Sequence, residues 1–325
     1  MSRRSLVVLL ATSLLVVVAV VAVFAFAGLA LPGRGARSAA RSTPPPAASA
    51  AVSPSLAAKP TPAPTPPPGF DHVVVIVMEN HSLEDVLGSP SAPYLNSLAA
   101  SGGLATDYSG VSHPSLPNYL AMIGGSTFGI GSDCTGCFVS APSVADSFEA
   151  AGKTWKAYQE GIPRPCFVGS SGRYAQKHDP FIYFDGIRND PARCGRIVPY
   201  DQLASDFGGA GAPNLAFVTP DLCSDAHDCS LATGDAWLAG QVPAILSSPA
   251  FTGSRSLLVV TFDEGEGGSD RVLTVFAGAG VKTGYRSSTR YDHYSLLRTV
   301  EDNWGLAPLA AGDGAATPMN EFFAG

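Results

Sequence analysis

The chain has 325 residues, 46% apolar, 14% charged and 9% aromatic, with 35 Gly, 27 Pro and 6 Cys. This excludes a wholly disordered chain and, because only one long apolar run exists, a multi-span membrane protein. Residues 1–70 hold six basic residues (Arg3, Arg4, Arg34, Arg37, Arg41, Lys59) and no acidic one, so the rest carries 14 basic against 27 acidic residues; that field excludes nucleic acid as an expected partner and repels phosphorylated substrates unless a metal or local donors overcome it.

After Met-Ser-Arg-Arg, the run Leu6 to Leu31 is apolar apart from Thr12, Ser13 and Gly28. About 26 residues at roughly 1.5 Å each are enough to span a bilayer. Arg3 and Arg4 keep the leading end inside and direct the remainder of the chain outward. A cleaved signal has a shorter apolar core, about 7 to 15 residues, which favours an uncleaved anchor, while the small residues around Ala25-Phe26-Ala27 keep cleavage open. Export is expected either way, to the extracellular space or to the outer face of the plasma membrane. Residues 32–68 contain eleven of the 27 prolines, mixed with Ala, Ser and Thr. Such a stretch has no apolar set to bury and favours extended conformations. The expected organisation is a signal peptide or signal anchor over 1–33, a disordered Pro/Ala/Ser-rich linker over 34–69 and one catalytic-sized domain over 70–325.

In that domain His72-Val-Val-Val-Ile-Val-Met78 is a continuous β-branched run, which predicts a strand buried on both faces. Helical patterns come next over 92–100, 116–123 and 144–151. Asn214 to Thr219 predicts a second buried strand, 235–246 a helix, Ser256 to Phe262 and Val272 to Phe276 two more strands, and 294–304 a last helix. This alternation predicts a layered α/β/α domain with a mostly parallel sheet. All six cysteines lie here, and their spacing suggests the local pairs Cys134–Cys137, Cys166–Cys194 and Cys223–Cys229 among fifteen connectivities. A zinc reading of Cys134-Thr-Gly-Cys137 lacks a second Cys/His pair at ligand spacing.

Ligands of open α/β sheets bind beyond the carboxyl ends of the strands. Three of the four runs end in acids: Glu79-Asn80-His81-Ser82, then Asp221 through Asp225, His227 and Asp228, then Asp263-Glu264-Gly-Glu266. Any one of these is ordinarily a turn or a cap. Their recurrence points to a hard divalent cation held by oxygen, since carboxylates do not gather ionised without compensation. Ser112-His113-Pro114-Ser115-Leu-Pro-Asn118-Tyr119 places a serine at a helix start. That is the place of a cap, and also where free N–H groups favour a phosphate beside a hydroxyl, with Asn118 as a further donor. His178 after Lys177, His227 between Asp225 and Asp228, and His293 after Asp292 are candidates for phosphate contact, general acid or metal ligation.

Together these segments resemble the bacterial phosphoesterase family of secreted acid phosphatases and non-specific phospholipases C, within the alkaline-phosphatase superfamily. The resemblance runs from about His72 to Leu306. It rests on Glu79-Asn80-His-Ser82, His113-Pro-Ser115-Leu-Pro-Asn118-Tyr, Lys177-His178-Asp-Pro180, Asp225-Ala-His227-Asp228, Gly234-Asp235-Ala-Trp237-Leu, Thr261-Phe-Asp263-Glu264 and Asp292-His293-Tyr. The short domain and the Gly-Asp-Ala-Trp-Leu segment look most like the acid phosphatases described as phosphatidylinositol-3-phosphatases. Asp179 stands where Asn is more usual in the family.

The resemblance implies an alkaline-phosphatase-like three-layer α/β/α fold and one divalent metal, with calcium, magnesium or manganese suiting all-oxygen ligation better than zinc. Its ligands would be Glu79, Asn80, Ser115, Asp263 and Glu264, and Ser115 would also be the nucleophile. His227, His178 and Asn118 would contact phosphate or protonate the leaving group. His293 stands where two-metal relatives have a ligand, and Asp221 or Asp235 would complete a second site; Asp228, Lys177 and His113 flank the same motifs. The expected reaction is hydrolysis of a phosphate monoester, on a phosphorylated small molecule or a phospholipid, through a phosphoserine. A phospholipase C-type phosphodiesterase and a non-catalytic wall-tethered binding protein are the alternatives.

Overall fold

The β-branched run that opens the domain forms the centre of its sheet. The computed structural model describes residues 69–266 and 269–324. The expected signal segment and nearly all of the linker lie outside the described residues. The strands are β1 (His72–Met78), β2 (Gly103–Ala105), β3 (Tyr108–Ser109), β4 (Trp155–Gln159), β5 (Ile197–Pro199), β6 (Leu215–Thr219), β7 (Ser256–Phe262), β8 (Thr274–Gly278), β9 (Tyr285–Ser287) and β10 (Tyr291–Asp292). Eight of them form one sheet in the order β5-β4-β6-β1-β7-β8-β2-β9, and β10 pairs with β3 apart from it. Within the large sheet only β8 runs against its neighbours. The fold is a mixed α/β architecture with a large, mostly parallel central sheet.

The main helices are α1 (Pro93–Ser101), α2 (Ser115–Gly124), α3 (Val144–Ala150), α4 (Gln202–Phe207), α5 (Leu231–Leu246) and α6 (His293–Trp304). Helices α2, α3 and α6 pack together, and α1 and α4 both pack on α5. The two groups take opposite faces of the sheet. Val75, Leu215 and Phe217 meet Met122, Ile123, Val144, Leu296 and Val300. Met78, three residues along β1 and so on the other face, lies against α5 at Gly234, where an added Cβ would stand 2.9 Å from its methyl. Burial on both faces explains why β1, β6 and β7 are apolar without alternation.

The observed elements fall within a few residues of those expected, with two informative differences. Val272 is outside β8 because its N–H donates to Tyr108 O at 2.8 Å rather than to the sheet. Helix α5 starts four residues earlier than the apolar pattern shows, capped by Ser230, whose Oγ accepts the Thr233 N–H at 3.3 Å. Cys134–Cys137, Cys166–Cys194 and Cys223–Cys229 are bonded as the spacing suggests, and no cysteine among the described residues is free. No helix among the described residues is long and apolar enough to cross a membrane.

Candidate active site

The pairing register builds the site at the carboxyl ends of the strands. Met78 is level with Phe262, and the Asp263 N–H donates to Met78 O at 3.0 Å, so Glu79 and Asp263 emerge side by side. The Glu79 N–H donates to Asp225 O at 2.9 Å, which ties the loop after β6 to the same edge. Asn80 has φ 57°, a left-handed conformation that Asn tolerates. There its N–H donates to Asp263 Oδ1 at 3.2 Å. Helix α2 brings up Ser115, buried, whose hydroxyl donates to Glu79 Oε2 at 3.2 Å. One turn later, on the same helix face, Asn118 donates to Glu264 Oε2 at 3.1 Å. Its amide oxygen accepts the N–H groups of Val111 and Ser112 at 2.9 and 3.1 Å, which fixes the Ser115 approach.

Of the three histidines that touch the cluster's side chains, His178 is buried and His227 and His113 lie at the edge. His178 lies within 3.3 Å of both Glu79 Oε1 and Asp225 Oδ2, and its ring stacks on Tyr119 at 5.2 Å. The Tyr119 hydroxyl donates to Glu79 Oε1. His227 is held by two neighbours: Nδ1 donates to Asp228 Oδ1 at 2.7 Å, and Nε2 accepts from Lys177 Nζ at 3.1 Å. Lys177 also donates to Asp133 Oδ2 at 2.9 Å. His113 bridges Glu264 Oε2 at 3.1 Å and Asp270 Oδ1 at 2.9 Å. The Cys223–Cys229 bond closes the loop that carries Asp225, His227 and Asp228.

Four carboxylates thus crowd into a largely water-free volume. Burial, then Asp263 and Asp225, hold the Glu79 carboxyl well above its usual range. Burial and then Glu264 raise Asp263 to about 7, and burial raises Asp225 to about 8. Glu264 is raised by burial as well. Burial, then Lys177 and His227, push His178 well below its ordinary value. The His113 imidazole is raised by its hydrogen bond to Asp270 and then by Glu264. Asp263 Oδ2 and Asp225 Oδ2 are buried without a hydrogen-bond partner. Among the described residues, Glu79, His178 and His227 also place one ligand atom each within 4.8 Å of one another.

The structure brings Glu79, Asn80, Ser115, Asn118, Lys177, His178, His227, Asp228, Asp263, Glu264 and His113 into one connected cluster. The second-site set of His293, Asp221 and Asp235 does not assemble. His293 is buried behind the site, with Nε2 on the Asp263 carbonyl and Nδ1 3.0 Å from the Tyr108 hydroxyl; burial lowers it to about 4. Asp221 Oδ1 accepts the N–H groups of Cys223 and Ser224 and shapes the loop. Asp235 accepts the N–H groups of Tyr94 and Leu95 at 3.0 and 2.8 Å and so caps α1. The Gly-Asp-Ala-Trp-Leu segment is thereby structural, with Gly234 against Met78 and Trp237 Nε1 on Glu160 at 3.1 Å. Sequence reasoning named Asp225 among the acids after the second run without giving it a role, and gave none to Tyr119 or Asp133. The first two sit inside motifs already singled out, whereas nothing in the Ser132-Asp133-Cys134 segment marks its acid.

Comparison with known proteins identifies the family. A family model described as the phosphoesterase family matches residues 89–307. The phosphatidylinositol-3-phosphatase of Mycobacterium tuberculosis is 38% identical over 242 residues, covering 74% of this chain and 78% of that protein. The phosphate-repressible acid phosphatase of Penicillium chrysogenum is 33% identical over 75% of this chain, which spans 61% of its length. In fold, the chain is similar to the phosphonate monoester hydrolase of Agrobacterium radiobacter, with a TM-score of 0.54 at 14% identity, covering 78% of this chain and 77% of that one. It is also similar to a Vibrio parahaemolyticus protein in the alkaline phosphatase superfamily, with a TM-score of 0.52 at 12% identity over 75% of this chain and 69% of that one. The chain belongs to the phosphoesterase family, and it is a phosphatase.

Proposed function

We propose that the protein is an exported phosphomonoesterase in which Ser115 is the nucleophile, a divalent cation is the cofactor, and a phosphoserine is the intermediate. The observation that carries the reading is the Ser115 hydroxyl, seated at the start of α2 and hydrogen-bonded to a buried carboxylate.

The donor set fits a hard cation. Glu79, Asn80, Ser115, Asp263 and Glu264 present oxygen, Asp263 Oδ2 lacks a partner, and the carboxyls raise one another's affinity for protons as like charges do. The alternative set of Glu79, His178 and His227 offers two imidazoles beside one carboxylate, whereas the five-residue set is all oxygen and so favours calcium, magnesium or manganese over zinc. When bound, such a cation supplies the positive charge that stabilises an alkoxide and polarises phosphate oxygens.

The chain's own residues account for the rest. Glu79 orients the Ser115 hydroxyl, the Tyr119 hydroxyl donates to the Glu79 carboxylate in turn, and the His178 ring packs 3.3 Å from it. His178 is thus a positioning residue, since its buried ring faces carboxylates. Ser115 Oγ passes its proton to Glu79 Oε2 and attacks phosphorus; the bond from phosphorus to the alcohol oxygen breaks, and that oxygen takes the proton that His113 Nε2 otherwise donates to Asp270. Water then cleaves the phosphoserine, restoring the hydroxyl and releasing inorganic phosphate. Lys177 faces the negative phosphate as a donor, and His227 and Asn118 flank it through their bonds to Lys177 and Glu264.

The relative named phosphatidylinositol-3-phosphatase supports a phosphorylated lipid headgroup as substrate. Export is supported by the three bonded cysteine pairs and by the apolar run at 6–31, which serves as signal or membrane anchor. The test is hydrolysis of a chromogenic phosphate monoester and of phosphatidylcholine by the full chain, each with and without chelator. Chelator-sensitive monoester hydrolysis is expected. Cleavage of phosphatidylcholine alone would replace the reading with a phospholipase C, and inactivity on both would overturn catalysis of either kind.

A further inference from the structure

One anion already sits beside Ser115, where a substrate phosphate would be drawn. Asp133 lies next to the Cys134–Cys137 bond, on the segment between α2 and α3. Its Oδ1 accepts the backbone N–H of Leu116 at 3.0 Å. Its Oδ2 accepts Lys177 Nζ at 2.9 Å. The Leu116 N–H lies in the first turn of α2, where backbone donors have no partner within the helix, one residue from the nucleophile, and such donors are suited to phosphate oxygens. Lys177 belongs to a distant segment and reaches the same carboxylate while touching His227.

A carboxylate at a helix start is ordinarily a cap, and three observations separate Asp133 from that role. It lies 17 residues after Leu116 in the chain, so it is no local N-cap; Pro114 occupies that position. It joins two donors from different elements, both of which face the cluster around Ser115. Its side chain is 27% exposed, so it can exchange into water at small cost. The loop itself is anchored, because buried Gln176 donates to Thr135 O at 2.9 Å. The carboxylate is therefore returned to the same donors whenever they are free.

We infer that Asp133 is a built-in competitor for phosphate, occupying the Leu116 N–H and Lys177 Nζ until the substrate's phosphate displaces it, and thereby setting the affinity of the site. This rests on the phosphomonoesterase reading and adds to it a specificity-determining residue that touches the phosphate donors. Displacement breaks two hydrogen bonds to Asp133 and forms two to phosphate, so the competitor weakens ground-state binding without entering the chemistry.

The experiment measures inorganic phosphate as a competitive inhibitor of chromogenic monoester hydrolysis by the full chain. Wild type is compared with Asp133→Ala and Asp133→Asn at fixed pH and ionic strength, with thermal melts of each. The inference expects the inhibition constant for phosphate and KM to fall together by about fivefold or more in Asp133→Ala. Asp133→Asn, which keeps an oxygen for Leu116 but loses the charge, falls between. A lower melting temperature with an unchanged or weaker phosphate affinity would show a structural cap and overturn the inference while leaving the phosphatase reading intact. A wild type that neither hydrolyses the monoester nor binds phosphate would overturn both.

Discussion

The Ser115 hydroxyl donates to Glu79 Oε2 across 3.2 Å, joining the first residue of α2 to the first residue beyond β1. The bond places the candidate nucleophile over the carboxyl end of the central strand, where Asp263 from the neighbouring strand also arrives. Replacing Ser115 with Ala should lower kcat by about 10³-fold or more. The melting temperature should change little, because α2 keeps its Pro114 start and its Asn118 contacts. Steady-state kinetics beside a thermal melt separates this from unfolding, and substantial retained turnover would remove Ser115 from the mechanism.

The carboxylate cluster predicts opposite effects on the metal-free and metal-loaded chain. Glu79→Gln removes a carboxyl whose ionisation burial, Asp263 and Asp225 oppose, so the chelated variant should melt no lower than chelated wild type. Divalent cation at about 100 times its Kd should stabilise wild type by about 2.7 kcal/mol, and should leave the variant unmoved. Melting curves with magnesium, calcium and manganese, each against chelator, read both effects. A wild type indifferent to all three would refute the oxygen-ligated site.

Asp235 tests the division between chemistry and architecture. Because it accepts the N–H groups of Tyr94 and Leu95, Asp235→Ala should cost about 1 to 2 kcal/mol in denaturant unfolding. The kcat per folded molecule should stay at the wild-type value. A loss of kcat restored by added metal would instead return Asp235 to a second ion site.

Glu301 offers a pH signature away from the site. Its side chain is fully buried, neither carboxylate oxygen has a hydrogen-bond partner, and burial with the help of Asp313 raises it from 4.5 to about 9. A folded-state value above the unfolded one means that this group's contribution is most favourable below pH 4.5 and is lost as pH rises towards 9. The loss is at most about 1.4 kcal/mol per pH unit. Glu301→Gln should flatten that slope and gain stability over wild type progressively between those limits. Parallel curves for the two proteins from pH 5 to 9 would disprove the assignment.

The sequence made the parallel sheet legible because β1, β6 and β7 are buried on both faces, so that Val, Ile and Leu follow one another without a break. It also exposed the candidate metal carboxylates, which stand directly after those runs. The two strands on the β5 side of the sheet escaped notice for the converse reason: β4 carries Lys156 and Gln159, and the edge strand β5 is only Ile197-Val-Pro199. Among site residues, His293 and Asp235 have the composition of ligands, and only distances show that one supports the Asp263 carbonyl and the other a helix end. Asp133 was invisible because its role comes from a fold that brings residues 116 and 177 to the same carboxylate.

The most direct test of the central claim is the stereochemical course at phosphorus when the enzyme transfers phosphate from a monoester, made chiral with oxygen isotopes, to an acceptor alcohol. Attack by Ser115 followed by attack of the acceptor inverts phosphorus twice, so the account predicts net retention. Net inversion would mean a single direct displacement with no phosphoserine, and would contradict the role given to Ser115.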